Sequence, residues 1–390
     1  MSAFHVKGRV EEMVPFLTQA GKACFGAGAP HPIYTHTRLT AYAPHPSSII
    51  GVSTNLEIYH VVNREMEGLE VLSAGVACVP TKPLLGLLKQ SKIGPVEMVV
   101  VGENLRVIVD GSEFTFACGF LADFPEPPGR TEFAAMVIPL DQFTRAVRHT
   151  AFAASQEQMR FALNGISVGV HEFPGKTKRA AKKQVGAFVA TDGRRLSIEE
   201  VDFEGGFTPV IVPTQALQNA VRWVPKKKGE PNLLSGLESV RIAKLDNDHI
   251  TIAYGDFTVI SRQVEGSFPN IWDVVPKTVN HTLLFEKEAM VTALKHALRA
   301  TDRDANAVRI EVNGEDVTFS SRSAEMKFSR IVKAHVEGGD IKAGFNPEYL
   351  LQMLAEHDGE SVSFGMEDVR SPAVIRDGRW TYVLMPISLE

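Results

Sequence analysis

Apolar and polar positions along this chain fall into a pattern that occurs three times. Its clearest mark is a glycine turn followed by an alternating strand: Gly111-Ser112-Glu113-Phe114-Thr115-Phe116, Gly255-Asp256-Phe257-Thr258-Val259 and Gly378-Arg379-Trp380-Thr381-Tyr382. Upstream of each mark lies a helix signal with apolar positions three and four apart, opened by proline: Val79-Pro80-Thr81, Val212-Pro213-Thr214 and Asn346-Pro347-Glu348. Proline suits a helix start because no intrahelical hydrogen bond is lost there, and Thr or Asn beside it can cap. Further back, the 3.6-residue period predicts a first helix at about Val10 to Ala20, Leu140 to Ala153 and Lys287 to Thr301. Alternating segments between the helices, at Val52 to Glu57, Val189 to Arg195 and Phe319 to Glu325, read as strands in matching register.

Each repeat therefore reads as helix, three or four strands, helix, then three or four strands. This is an α+β module whose sheet is covered on one face by two helices. The first two repeats share an exit, Asp123-Phe124-Pro125 and Ser267-Phe268-Pro269, followed by a proline-containing connector. The boundaries fall near 130 and 276, giving spans 1–130, 131–276 and 277–390. A polar segment in the middle span, Pro174 to Gln184, carries Lys176, Lys178, Arg179, Lys182 and Lys183 and reads as a solvated turn or a DNA-touching loop.

Composition narrows the function classes. With 390 residues the chain can bury two or three cores. Charged residues at 22% and hydrophobic ones at 44% describe an ordinary soluble protein, and Met1 to Lys7 lacks an apolar signal region, so a cytoplasmic protein with no membrane association is expected. Cys24, Cys78 and Cys118 show no CxxC spacing and read as reduced thiols. A net charge of -5 argues against simple basic binding to nucleic acid unless positive charge is segregated onto one surface.

Beyond the repeat, Ala190-Thr191-Asp192-Gly193-Arg194-Arg195-Leu196, Gly266-Ser267-Phe268-Pro269 with Val274-Val275-Pro276, Phe345-Asn346-Pro347-Glu348-Tyr349-Leu350-Leu351 and Tyr382-Val383-Leu384-Met385-Pro386 stand in a specific order. In that order the chain resembles the bacterial DNA polymerase III beta subunit, the sliding-clamp family. The resemblance implies a DNA clamp fold of three tandem modules, closed as a head-to-tail homodimeric ring around double-stranded DNA. It implies no cofactor, no metal and no catalytic residue. The family binds polymerase, clamp loader and repair proteins through short peptides that enter a hydrophobic cleft. The positions that match the cleft are Leu163, Thr191, Gly193, Arg195, Leu196, Pro269, Val274, Asn346, Tyr349, Pro372, Val383, Met385, Pro386 and Ile387.

Subunit contact would involve Phe114 and Phe116 on one side, with Arg299 and Ala300 on the other, where aliphatic residues are expected. If helices line a hole around DNA, their basic faces are the places to look. Arg145, Arg148 and His149 share one face, Lys295, Arg299 and Arg303 another, and Lys89 with Lys92, and Arg222 with Lys226, end the second helices. Arg160 and Phe161 match family positions near DNA, with Ala162 where an aromatic is usual. In the cleft, Asp273 stands where arginine is frequent and Ser388 replaces another arginine, which suggests a specialised copy with altered peptide or inhibitor selectivity. A ring scaffold that does not bind DNA is a further alternative. An enzyme built on Asp192, Arg194 and Arg195 is the rival class, but GxxxxGK[ST], GxGxxG and HExxH are all absent.

Overall fold

A computed structural model describes residues 4–26, 28–43, 47–91, 93–119, 121–129, 131–157, 161–173, 183–222, 238–301 and 306–388. The architecture is α+β, and the three repeats share one element order. The first runs from strand His5–Arg9 into helix α1 (Val10–Ala20), through strands to helix α2 (Thr81–Ser91), and ends in three strands, the last Ser112–Ala117. The second has strand Glu132–Pro139, helices α3 (Leu140–Ala151) and α4 (Thr214–Val221), and ends at Phe257–Arg262. The third has strand His281–Glu286, helices α5 (Lys287–Arg299) and α6 (Pro347–Glu356), and ends at Trp380–Leu384.

Two details differ from the sequence reading. Each repeat opens with a strand that runs straight into its first helix, so no turn residue marks the boundary. Among the described residues five strands separate the helices in the first and second repeats and four in the third, because short strands such as Glu70–Ser73 and Glu204–Gly205 show little alternation.

Two compact units do not follow the repeats: one comprises 1–140 with 215–263, the other 141–214 with 264–390. In the first unit, strands run in the order Glu132–Pro139, Ser239–Leu245, His249–Tyr254, Phe257–Arg262, Ile58–Glu65, Ser48–Thr54, His36–Tyr42 and Gly75–Pro80. The glycine-turn strand of the second repeat thus pairs with a strand of the first, Phe257 opposite Val62 and Ile260 opposite Tyr59. Tyr59, Val61 and Ile260 join Phe124 of the exit segment in one apolar cluster. On the other sheet face, His60 is fully buried edge-on to Phe257, ring centroids 5.2 Å apart. Arg64, also buried, donates from Nε to Asp256 at 2.5 Å and from Nη2 to Gln19 of α1 at 2.6 Å. A separate five-stranded sheet in this unit ends at strand Ser112–Ala117, which among the described residues has a neighbour on one side only.

The second unit contains a twelve-stranded sheet. In it the glycine-turn strand Trp380–Leu384 pairs with Arg195–Val201 of the second repeat, Trp380 opposite Glu199 and Val383 opposite Leu196. Met290, Leu294, Phe319, Phe345, Leu350, Phe364, Trp380 and Tyr382 belong to one apolar core in it. At about 25 cal/mol per Å² of buried apolar surface, side chains of this size dominate the stabilisation. Each glycine turn needs a positive φ, 71° at Gly111, 57° at Gly255 and 57° at Gly378, which glycine adopts without steric cost.

Candidate functional site

Strand Lys183–Thr191 turns sharply into strand Arg195–Val201, and the turn is held by its own side chains. The Thr191 hydroxyl donates to the Arg195 carbonyl (2.5 Å) and accepts from the Gly193 amide (3.0 Å), while Asp192 Oδ1 accepts from the amides of Arg194 (2.9 Å) and Arg195 (3.0 Å). Gly193 takes φ 86°, the left-handed conformation the turn requires. The Arg195 guanidinium is almost fully buried. Its Nε donates to Asp192 at 3.0 Å, Nη1 to Gln352 of α6 at 2.5 Å and Nη2 to the Phe152 carbonyl at 2.5 Å, and it lies 4.2 Å from the Tyr349 ring centroid. Every donor of the fork that is described has a partner within the fold, so Asp192 and Arg195 form a structural clamp rather than an acid and an anion site.

This turn walls a cavity of about 230 Å³. Nine of the residues expected in the cleft line it: Leu163, Thr191, Gly193, Arg195, Leu196, Pro269, Val274, Val383 and Met385. Leu196 and Val383 are buried in its floor with Ile271, whereas Val274 and Met385 are each 40% exposed at its mouth. Arg194, Asn270 and Ile271 also line it. Sequence reading did not place these three in the cleft, although Arg194 and Asn270 each sit beside a position that it did. Asn270 Nδ2 donates to Asp273 at 2.9 Å, holding that carboxylate beside the segment that forms one wall.

Tyr349 instead borders a second, more polar cavity of about 240 Å³ with Ser155, Glu157, Asp192, Glu348 and Gln352, and Arg194 and Arg195 stand between the two. The remaining cleft expectations do not line either cavity. Asn346 caps α6, its Oδ1 accepting from the Glu348 amide at 2.9 Å. Ile387 bridges to Gly344, its amide donating to that carbonyl at 2.8 Å, and Pro372 and Pro386 are half-buried. In each case a motif position serves packing or capping.

The expected basic faces divide. Lys89, Arg222 and Lys295 are exposed. Arg145 instead donates from Nε to Glu199 at 2.8 Å, and Glu199 is buried and also accepts from His149 Nδ1 at 3.0 Å. Removing a carboxylate from water demands such partners. Arg148 donates to both carboxylate oxygens of Asp358, at 2.8 and 2.5 Å, and this pairing holds its guanidinium above and the Asp358 carboxyl below their usual ranges. His149 is buried, so it belongs to the interior rather than to a basic surface. Lys92, Arg160, Lys226 and Arg303 lie outside the described residues, as does 174–182, while Lys183 pairs with Glu200 at 3.7 Å. Phe161 opens a short 3-10 turn, Phe161–Leu163.

Of the subunit-contact positions, Phe114 is 38% exposed, Phe116 half-buried and Arg299 exposed. Ala300 is a correction. It is fully buried in its own chain, so its methyl cannot meet another. The three cysteines are free, and burial pushes the Cys78 thiol up to about 12, which keeps it protonated. No described helix is long and apolar enough to cross a membrane.

Family models of the DNA polymerase III beta subunit match the chain twice, the central domain over residues 137–270 and the C-terminal domain over 273–388. Curated relatives include the beta sliding clamp of Chlamydia pneumoniae, 24% identical over 367 residues and 93% of each chain, and that of Pseudomonas aeruginosa, 26% identical over 347 residues, 86% of this chain and 88% of the other. The sliding clamp of Bacillus subtilis superposes with a TM-score of 0.86 at 18% identity, covering 100% of both chains. A Pseudomonas aeruginosa clamp bound to griselimycin superposes with a TM-score of 0.84 at 22% identity, covering 99% of this chain and 100% of the other. The chain belongs to the DNA polymerase III beta subunit family, the beta sliding clamps, whose members are processivity factors without a catalytic centre of their own.

Proposed function

We propose that this sliding clamp consists of three modules, 1–130, 131–276 and 277–390, and that two copies close head to tail around duplex DNA and tether a DNA polymerase, a clamp loader and repair proteins through the cleft. The observation that carries the tethering is the cavity itself. Its floor of Leu196, Ile271 and Val383 is apolar, its mouth carries Val274 and Met385, and Thr191 and Arg194 supply polar edges. A few buried apolar side chains of a short peptide would supply most of the binding energy in such a groove, and methionine adapts to varied ligands. Two solved relatives, the clamps of Pseudomonas aeruginosa and Bartonella birtlesii, are bound to griselimycin.

DNA contact on this reading is made to phosphates, carries no sequence information and is weak, with a non-specific dissociation constant of roughly 10⁻⁴ to 10⁻⁶ M. Exposed Lys89, Arg222 and Lys295 are its candidate contacts. Retention on circular DNA after loading, lost on linearisation, is the expected result. A protein that forms rings but never stays on circles would be a scaffold instead.

Asp273 favours a second, narrower reading, a specialised copy with altered ligand choice. Held by Asn270 beside the cleft wall, it places a negative charge where acidic partner peptides would approach. Titrating one acidic clamp-binding peptide against wild-type protein and Asp273→Arg tests this. Equal affinities would remove it.

A further inference from the structure

One turn of the chain serves two cavities. Ile271 and Val274 line the cleft, whereas Trp272 between them lines a separate cavity of about 620 Å³. The turn is held by its own bonds, the Trp272 amide donating to Asn270 Oδ1 at 3.3 Å and the Val274 amide to the Ile271 carbonyl at 3.3 Å. The indole is seated as firmly. Its ring centroid lies 4.0 Å from that of Phe173 and 6.5 Å, edge-on, from that of His171. Trp272 and Phe173 also pack, half-buried, on the cluster that contains Leu196, Ile271 and Val383, the floor of the cleft.

Another wall of the larger cavity is the loop 203–209, which is shaped by its glycines. Gly205 and Gly206 take φ 71° and 132°, and a Cβ on Gly206 would stand 2.6 Å from Val170 Cγ2. The Val170 amide donates to the Phe207 carbonyl at 2.9 Å and ties the loop to the sheet. The loop thereby brings Phe203, Phe207 and Pro209 to the cavity. None of the described lining residues is a lysine or arginine, and burial pushes His171 down to about 4, so it is neutral at neutral pH. Such a lining offers little to a phosphate or a carboxylate and much to an aromatic ring. The volume is that of a site for a drug-sized group, roughly 300–1,000 Å³, so a ring and the backbone beside it can enter together. Exposed Gln184 and Thr208 are placed to hydrogen-bond that backbone.

We propose that this cavity is a second anchor point for the polypeptides that the cleft captures, and that it takes an aromatic side chain carried a few residues outside the cleft-binding segment. This inference rests on the tethering reading and extends it. Continuity favours a partner's chain as the occupant. Ile271 and Trp272 are neighbours, with Cα atoms about 3.8 Å apart, so a peptide lying on the turn has only to pass it to enter the second cavity. A first site already filled makes the second contact intramolecular, which is how a modest pocket adds affinity.

Fluorescence anisotropy of the full-length protein with a labelled clamp-binding peptide tests this, the peptide being used alone and extended at either end by Gly-Gly-Phe or Gly-Gly-Ala. At one end the Phe extension should bind roughly tenfold more tightly than the Ala extension. Phe203→Ala lies outside the cleft lining and should abolish that difference while leaving the affinity of the unextended peptide unchanged. Equal affinities for Phe and Ala extensions at both ends overturn the proposal and leave the cleft reading standing, and so does a gain that survives Phe203→Ala. Failure of the unextended peptide to bind overturns the cleft reading and this inference with it. A benzophenone in place of the phenyl ring gives a readout on unaltered protein. Its photo-cross-links should map to 203–209 or Trp272, and cross-links confined to other segments overturn the assignment. Labelling of the same residues by a free benzophenone amino-acid amide, with no gain from the tethered ring, would give the cavity to a small molecule and likewise overturn it.

Discussion

The imidazole of His149 stacks on the indole of Trp380, ring centroids 4.2 Å apart and planes 22° from parallel. Trp380 Nε1 also donates to Ser197 Oγ at 2.8 Å, and that hydroxyl donates to the His149 carbonyl at 2.6 Å. A single indole thus ties the last strand of the third repeat to the first helix and fourth strand of the second. Trp380→Ala should lower the unfolding free energy by about 3–5 kcal/mol, the usual cost of emptying a buried aromatic site. Trp380→Phe should cost about 1–3 kcal/mol, chiefly because the buried Ser197 oxygen loses the N–H it accepts from. Denaturant titration followed by circular dichroism measures both.

Acid should destabilise the protein through two buried histidines. Burial pushes both His60 and His171 down to about 4. The unfolded chain binds protons near pH 6.5 and the folded chain does not, so stability is full above that pH, falls as pH drops toward 4, and levels below. The loss is at most about 3 kcal/mol per histidine. His60→Leu should flatten this part of the stability curve, visible as a smaller drop in melting temperature between pH 6.5 and 4.5.

Peptide capture should depend on the cavity mouth more than on the conspicuous arginine turn. Met385→Glu and Val274→Asp each place a charge at an apolar rim and should weaken a clamp-binding peptide about tenfold or more while leaving the melting temperature within a few degrees. Arg195→Ala should instead unfold the turn and α6 contact, lowering the melting temperature markedly. Fluorescence anisotropy with a labelled peptide, run beside thermal denaturation, separates the two effects.

Self-neutralisation of α3 sets an expectation for DNA. Arg148 is held by Asp358, so Asp358→Asn should free a cation and steepen the dependence of log binding constant on log salt concentration by about one, while Lys295→Ala should reduce it by about one if Lys295 touches phosphate. Titrations of a short duplex across a potassium chloride series give both slopes.

What the sequence made legible followed local rules. The glycine turns and the proline-opened helices could be read because their spacing along the chain determines their geometry, whereas the nine cavity residues were legible only through the resemblance to the clamp family. Partners distant in sequence were not legible. Arg145, Arg148 and His149 share a helix face as their spacing says, but Glu199 and Asp358, the carboxylates that hold them, are 50 to 210 residues away. Ala300 shows the same limit. One step past α5, its exposure depends on how the helix ends against strand Asp316–Arg322, where Ser321 Oγ donates to the Ala297 carbonyl at 2.8 Å.

The glycine-turn strands of the second and third repeats each complete the repeat before their own, which has a practical consequence for dissecting the molecule. Cutting at residue 130 or 276 would strip a sheet of its next strand and bare the apolar layer beneath it. A middle repeat produced alone would carry Phe257 to Ser261 and Arg195 to Glu199 as raw edges on opposite flanks, a recipe for open-ended polymerisation. Fragments cut to follow the compact units, which requires joining noncontiguous stretches, are the ones that should stay soluble.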